Sequence, residues 1–329
     1  MKKYFNPKKD NWASICERPL FDNTQIKKIV NDVFDNVKVN GDKALIQYTK
    51  KFDNIDLKEI SFDLERIDIS EIDIDPELKE SIDNAFNNIY KFHESQLFVS
   101  KKIETSKEVF CWQDKRPIEN VGLYIPGGTA PLFSSVLMLA IPAMIAKCKK
   151  VILCTPPEKN GDINKAILYS AKLCNVNTII NIGGAQAIAA MSLGTKNVPK
   201  VNKIFGPGNQ YVTSAKLNSI DYNTAIDMPA GPSELLVLAD SKANPDYVAS
   251  DLLSQAEHGP DSQVILVSLC KVLIEKVEKS LKNQSKKLDR IDFINKSISN
   301  SKLICCENKE EAVEFINEYA PEHYIINVE

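Results

Sequence analysis

The sequence has no apolar run long enough to cross a membrane. Its longest stretch free of charged, amide, histidine, serine and threonine side chains is eleven residues, Val136–Ala146, and includes Pro142, whereas a span needs about 20. The basic start Met1-Lys2-Lys3 leads into no apolar segment, so no secretory signal is expected. A charge excess of one sign is also missing. The 41 basic and 44 acidic residues leave a net charge of −3, which argues against nucleic acid as a partner. None of the eight cysteines forms a C-x-x-C pair, which leaves a ribbon-type zinc site unsupported. Cys148, Cys154 and Cys174 lie in or beside apolar segments, so reduced and mostly buried thiols in a cytoplasmic protein are expected. The dinucleotide fingerprint G-x-G-x-x-G is absent. So are repeats, low-complexity segments and any Gly/Ser linker, which implies tightly joined or interleaved domains.

What is present is ordinary globular material. A chain of 329 residues suggests about two domains, and 43% hydrophobic residues can bury a core without disulfide or metal staples. Residues 1–120 read as mostly helical and charged. Asp75-Pro76 opens a helix reaching about Gln96, with Leu78, Ile82, Phe86 and Ile89 on one buried stripe. No chemistry is read from this region, and His93 is expected to be a surface or half-buried histidine. From residue 118 short β-prone runs alternate with helical stretches: Val121–Ile125, Val151–Thr155, Thr178–Ile182, Lys203–Phe205, Ala225–Met228, Leu235–Ala239 and Val264–Ser268. Several end in glycine or proline turns. Strand, tight turn and helix in repetition predict mostly parallel sheets covered on both faces, with ligands beyond the carboxyl ends of the strands. Residues 271–302 are lysine-rich and predict solvated helical faces.

Three segments carry candidate chemistry. The turn Gly206-Pro207-Gly208-Asn209 follows a strand and precedes a helix, so its backbone can approach an anionic ligand; glycine placed there for sterics alone is the alternative. Asn244-Pro245 opens a helix that Gly259-Pro260 closes. Val248, Ala249, Leu252, Leu253 and Ala256 form its apolar face, while Asp251, Ser254, Gln255 and His258 share the polar one. Gln255 and His258 are neighbours on that face and can offer two metal ligands, or simply line a solvated surface. Glu322 and His323 follow Pro321 before the apolar run Tyr324-Ile325-Ile326. They have the parts of a proton-transfer pair, or of a charged surface turn.

Together these segments resemble the histidinol dehydrogenase family. The resemblance runs from about Arg116 to Glu329 and rests on Gly122-Leu123-Tyr124-Ile125-Pro126-Gly127-Gly128, Gly183-Gly184-Ala185-Gln186-Ala187-Ile188-Ala189 and Phe205-Gly206-Pro207-Gly208-Asn209. The most diagnostic stretches are Ile226-Asp227-Met228-Pro229-Ala230-Gly231-Pro232-Ser233-Glu234, the run from Ala249 to Gln263, and Ala320-Pro321-Glu322-His323. The resemblance implies an α/β protein with two Rossmann-like parallel-sheet domains and a helical amino-terminal region. The expected division is 1–120 joining a 233–329 domain, with 121–232 as the NAD-binding domain.

The activity implied is zinc-dependent oxidation of L-histidinol through L-histidinaldehyde to L-histidine, with two NAD per turnover, in a homodimeric enzyme. By motif position, Tyr124, Gln186 and Asn209 would contact NAD. Ser233, Gln255, His258 and His323 would contact substrate, Gln255 and His258 would also ligate zinc, and Glu322 and His323 would be the acid–base pair. The family pattern has two further zinc ligands, an Asp and a His, beyond the Glu-His pair. The sequence ends at Glu329, six residues after His323, and its histidines are His93, His258 and His323. A truncated form, a fragment or half of a split enzyme is therefore expected. The alternative is an inactive NAD- or small-molecule-binding protein on the same scaffold, and retention of Glu322 and His323 argues against it.

Overall fold

The computed structural model describes residues 1–18, 24–57, 59–127, 131–229, 233–288 and 290–329. The first third of the chain forms β1 (Lys2–Phe5), α1 (Trp12–Cys16), α2 (Thr24–Asn40), α3 (Asp42–Asp53), β2 (Ser61–Asp63) and α4 (Pro76–Glu94). A hairpin of β3 (Ile103–Ser106) and β4 (Val109–Cys111) follows. Alternation then sets in with β5 (Asn120–Tyr124), α5 (Phe133–Ile145), β6 (Lys150–Cys154), α6 (Lys165–Leu173), β7 (Thr178–Ile180), α7 (Gly184–Leu193), β8 (Lys203–Phe205), α8 (Gln210–Ser219) and β9 (Ala225–Ile226). The last third holds β10 (Glu234–Ala239), α9 (Pro245–Ala256), β11 (Gln263–Ser268), α10 (Lys271–Gln284), α11 (Ile291–Asn300), β12 (Lys302–Cys305), α12 (Lys309–Tyr319) and β13 (His323–Asn327).

The chain divides into two compact units. One joins Met1–Asp22 to Ala230–Glu329, and the other is Asn23–Pro229. The amino-terminal share of the first unit is thus residues 1–22 rather than the expected 1–120. The reason is packing: α2 lies on α7 and α8, and α4 on α5, all within the second unit. Residues 1–120 are also less uniformly helical than expected, since β1, β2 and the β3–β4 hairpin fall there.

In the Asn23–Pro229 unit six strands run in the order β2-β7-β6-β5-β8-β9, all parallel except β2, which is antiparallel to β7. Alternate residues face opposite sides of the sheet. Val121, Leu123, Val151 and Leu153 pack beneath α4, α5 and α6, whereas Ile152, Cys154 and Ile180 meet α2, α3 and α7. The other unit holds a parallel sheet in the order β1-β12-β11-β10-β13. Leu235 and Val237 face α9, α10 and α11; Leu236 and Leu238 face α1 and α12. Burial on both faces explains why these strands read as continuous apolar runs.

Helix ends follow local chemistry. Asp75 accepts from the amides of Glu77 and Leu78, both at 3.0 Å, and Pro76 takes the first turn. Asn244 accepts from Asp246 at 2.9 Å ahead of Pro245. On α9 the expected apolar face, Val248, Ala249, Leu252, Leu253 and Ala256, is buried. His93 is half-buried and its Nδ1 lies 2.8 Å from Gln96 Oε1. The lysine-rich 271–302 segment departs from expectation at its end. Lys302 starts β12 and is 7% exposed, with its ammonium donating to the carbonyls of Ile15 and Glu17. Burial lowers the pKa of that ammonium.

Two substitutions test this architecture. Leu252→Ala removes a side chain with no exposure and should cost about 2–5 kcal/mol in urea denaturation. Ser254→Ala, on the solvent side, should change stability by less than about 0.5 kcal/mol. Gly206 has φ +132°, and a Cβ there would lie 2.1 Å from the Tyr124 carbonyl oxygen. Gly206→Ala should therefore cost at least about 1–3 kcal/mol by the same measurement.

Candidate active site

In the Asn23–Pro229 unit the expected nucleotide residues gather where parallel strands hand over to helices. Tyr124 ends β5 and is 3% exposed. Its hydroxyl accepts from the Gly184 amide at 3.0 Å, tying β5 to the start of α7. Burial pushes this phenol up to about 12, so it stays neutral and keeps its proton to donate. Gln186 lies in the first turn of α7 with 2% exposure. Asn209 caps α8: its Oδ1 accepts from Tyr211 and Val212, both at 3.1 Å, which leaves the Nδ2 donor of an exposed side chain for a ligand. The glycines also have a steric task. A Cβ on Gly127 or Gly183 would strike the Pro156 ring at 2.3 or 2.5 Å. Gly128, in the same turn, lies outside the described residues.

The turn at Gly206 is held by an ion pair, its lysine buried and its aspartate exposed, that the sequence reading did not single out. Lys216 on α8 is 4% exposed; its ammonium pairs with Asp227 and donates to the Gly206 carbonyl at 2.8 Å. Asp227 in turn accepts from the amides of Gly206 at 2.9 Å and Met228 at 2.7 Å. Both faces of the Gly206 peptide are therefore clamped, and the backbone cannot relax from its close approach to Tyr124.

The other unit places its residues at the opposite kind of edge. Ser233 directly precedes β10, and its carbonyl accepts from Gln263 at 3.1 Å. His323 begins β13 in register with Leu235. Helix α9 follows β10 and its carboxyl end, at Gln255 and His258, leads back into β11. The acid–base and metal candidates thus sit at the amino ends of these parallel strands, not beyond their carboxyl ends as the general rule for such sheets led us to expect. Ala230, Gly231 and Pro232 of the diagnostic motif lie outside the described residues.

His323 Nδ1 lies 3.0 Å from the Glu234 carbonyl oxygen. A carbonyl only accepts, so Nδ1 carries a proton, and in the neutral ring the lone pair lies on Nε2. Glu322 Oε2 stands 3.9 Å from the same Nδ1, too far for a hydrogen bond. Both side chains are about half exposed, at 55% and 50%, so both are open to a substrate or water. Gln255 is half-buried and His258 exposed, and neither side chain has a hydrogen-bond partner among the described residues. They fit two positions of a metal shell. Among the described residues no group of three or more His, Cys, Asp and Glu completes it. Burial raises the pKa of Cys154, and pushes Cys174 and Cys306 up to about 12, so these three thiols keep their protons.

Sequence reasoning also missed the surroundings of His323. Arg18, from the segment where no chemistry was read, donates to Glu234 and to the carbonyls of Tyr319 and Ala320. No local pattern announces a contact spanning 216 residues.

Comparison with known proteins agrees with the resemblance to this family. A family model described as histidinol dehydrogenase matches residues 16–329. The histidinol dehydrogenase of Bacteroides thetaiotaomicron is 51% identical over 329 residues, all of this chain and 77% of the relative. The chloroplastic histidinol dehydrogenase of Arabidopsis thaliana is 50% identical, with 96% of this chain and 68% of the relative covered. A crystal structure of histidinol dehydrogenase from Elizabethkingia anophelis matches with a TM-score of 0.93 at 48% identity, over 99% of this chain and 75% of that one. The chain belongs to the histidinol dehydrogenase family.

Proposed function

We propose that the protein oxidises L-histidinol through L-histidinaldehyde to L-histidine, in L-histidine biosynthesis, and that His323 and Glu322 move the protons. The observation that carries this assignment is the 3.0 Å contact between His323 Nδ1 and the Glu234 carbonyl, which makes Nε2 the basic nitrogen of the neutral ring. Alcohol oxidation requires removal of the hydroxyl proton as hydride departs, and a neutral imidazole suits that task. Aldehyde oxidation requires addition of water, and the exposed Glu322 carboxylate takes the water's proton. Ser233, Gln255, His258 and His323 hold the substrate. Tyr124, Gln186 and the Asn209 amide contact NAD, with the clamped Gly206 turn allowing close backbone approach. Gln255 and His258 would hold a zinc. When bound, NAD accepts hydride and zinc templates the substrate's imidazole and amine. A reducing, cytoplasmic setting and a homodimer belong to the same reading; the eight free cysteines support the first, and family membership the second.

In the intact enzyme His323→Asn should lower turnover of both histidinol and histidinaldehyde by about 10²–10⁴-fold, with the NAD dissociation constant unchanged in calorimetry. Glu322→Gln should slow aldehyde oxidation more than alcohol oxidation. Wild-type turnover in His323→Asn would overturn the assignment. His258→Ala should strip zinc from the purified protein, because one strong donor is lost. Leu252→Ala, on the buried face of the same helix, should retain its metal while folded. Equal metal loss from both variants in elemental analysis would contradict the ligand assignment.

A further inference from the structure

We propose that Arg18 is a positioning residue for His323: it fixes the tautomer and aim of the imidazole without touching it. Its guanidinium engages three backbone or side-chain groups at once. Nε and Nη2 donate to the two oxygens of Glu234, the Nη2 bond at 2.9 Å. Nη2 also donates to the carbonyls of Tyr319 at 2.8 Å and Ala320 at 3.2 Å. These are the two chain segments that decide where His323 lies. Glu234 supplies the carbonyl that receives its Nδ1 proton. Tyr319 and Ala320 end α12 immediately before Pro321-Glu322-His323.

The geometry of that second segment is unusual. Ala320 has φ +47°, a left-handed conformation that a residue with a Cβ adopts only when its surroundings impose it. Arg18 holds the carbonyl on each side of that bend. The platform beneath is rigid. The guanidinium carbon lies 4.6 Å from the Tyr319 ring centre. Tyr319 is fully buried, and its hydroxyl donates to Gln263 Oε1 at 2.9 Å. Gln263 then donates to the Asn300 carbonyl at 3.0 Å. The Glu234 side chain is only 10% exposed, so a planar, bidentate cation is needed to hold its carboxylate, and the Glu234 peptide with it, in one orientation. A lysine is a point charge and cannot meet the carboxylate fork and two carbonyls together.

The inference rests on the reading of His323 as base, and the experiment separates the two. Nitrogen-15 NMR of the intact protein reports each imidazole's tautomer, and with three histidines in the sequence each signal is assigned by its own substitution. Wild-type His323 should be predominantly Nδ1-protonated when neutral. In Arg18→Lys and Arg18→Gln that preference should be lost. The kcat for histidinol should fall about 10–100-fold, while NAD affinity is unchanged. Val277→Ala, a buried change on α10, should lower stability yet leave kcat and tautomer as in wild type. If the Arg18 variants do not fold, Glu234→Gln keeps the accepting carbonyl, removes only the charged partner, and should give the same two changes. An unaltered tautomer or unaltered kcat in any folded member of this set overturns the role of Arg18. Retained turnover in His323→Asn overturns the base instead, whatever the tautomer shows.

Discussion

A carbonyl oxygen accepts hydrogen bonds and never donates them, and the arrangement around His323 follows from that restriction. Because the Glu234 carbonyl faces Nδ1, the imidazole proton has one place to sit and the lone pair one direction to point. A histidine half in solvent would otherwise exchange tautomers freely. Edge strand β13 gains its orientation from the ladder with β10, which brings His323 opposite Leu235. The parallel pairing of two strands thus does more than bury Leu236 and Val237; it sets the register in which a side chain at one strand's first residue meets the carbonyl that begins the next.

The two units use opposite ends of the same strand–helix unit. In Asn23–Pro229, the candidate nucleotide residues stand where strands end and helices begin, and a helix amino end favours phosphate. In the other unit Gln255 and His258 stand at the carboxyl end of α9, and a helix carboxyl end favours cations. That polarity suits the two ligands of the proposed reaction, a dinucleotide rich in negative charge and a substrate amine with a metal ion. The Lys216–Asp227 pair adds a further constraint in the nucleotide unit, since it binds both backbone polar groups of Gly206.

Features decided by neighbours in sequence were legible before the structure. The caps Asp75-Pro76 and Asn244-Pro245 act within one helical turn, and the apolar face of α9 follows from its period. The strands from β5 to β11 were legible as apolar runs between turns. Features decided at long range were not. β1 is hidden in the basic start because its partner, β12, is 300 positions away at Lys302. Lys302 itself looked like one more solvated lysine, since nothing nearby reveals that the carbonyls of Ile15 and Glu17 receive it. The domain division suffered for the same reason: α2 and α4 are amphipathic, but amphipathicity does not name the sheet they cover. For the site, the motifs identified the family, whereas the strand edge on which Gln255, His258 and His323 stand required the topology.

The split layout of the first unit has a consequence for the order in which the chain folds as it is made. Asn23–Pro229 is continuous, so all its strands exist before β10 is translated. β1 and Arg18 are synthesised first and must wait for β12 and Tyr319. At about 5–20 residues per second, that wait is about 15–60 s. During it the amino-terminal segment has no sheet to join, and Trp12 and Ile15 have no core to enter. A ribosome paused before Lys302 carries one finished body and a loose leading segment that chaperones can hold.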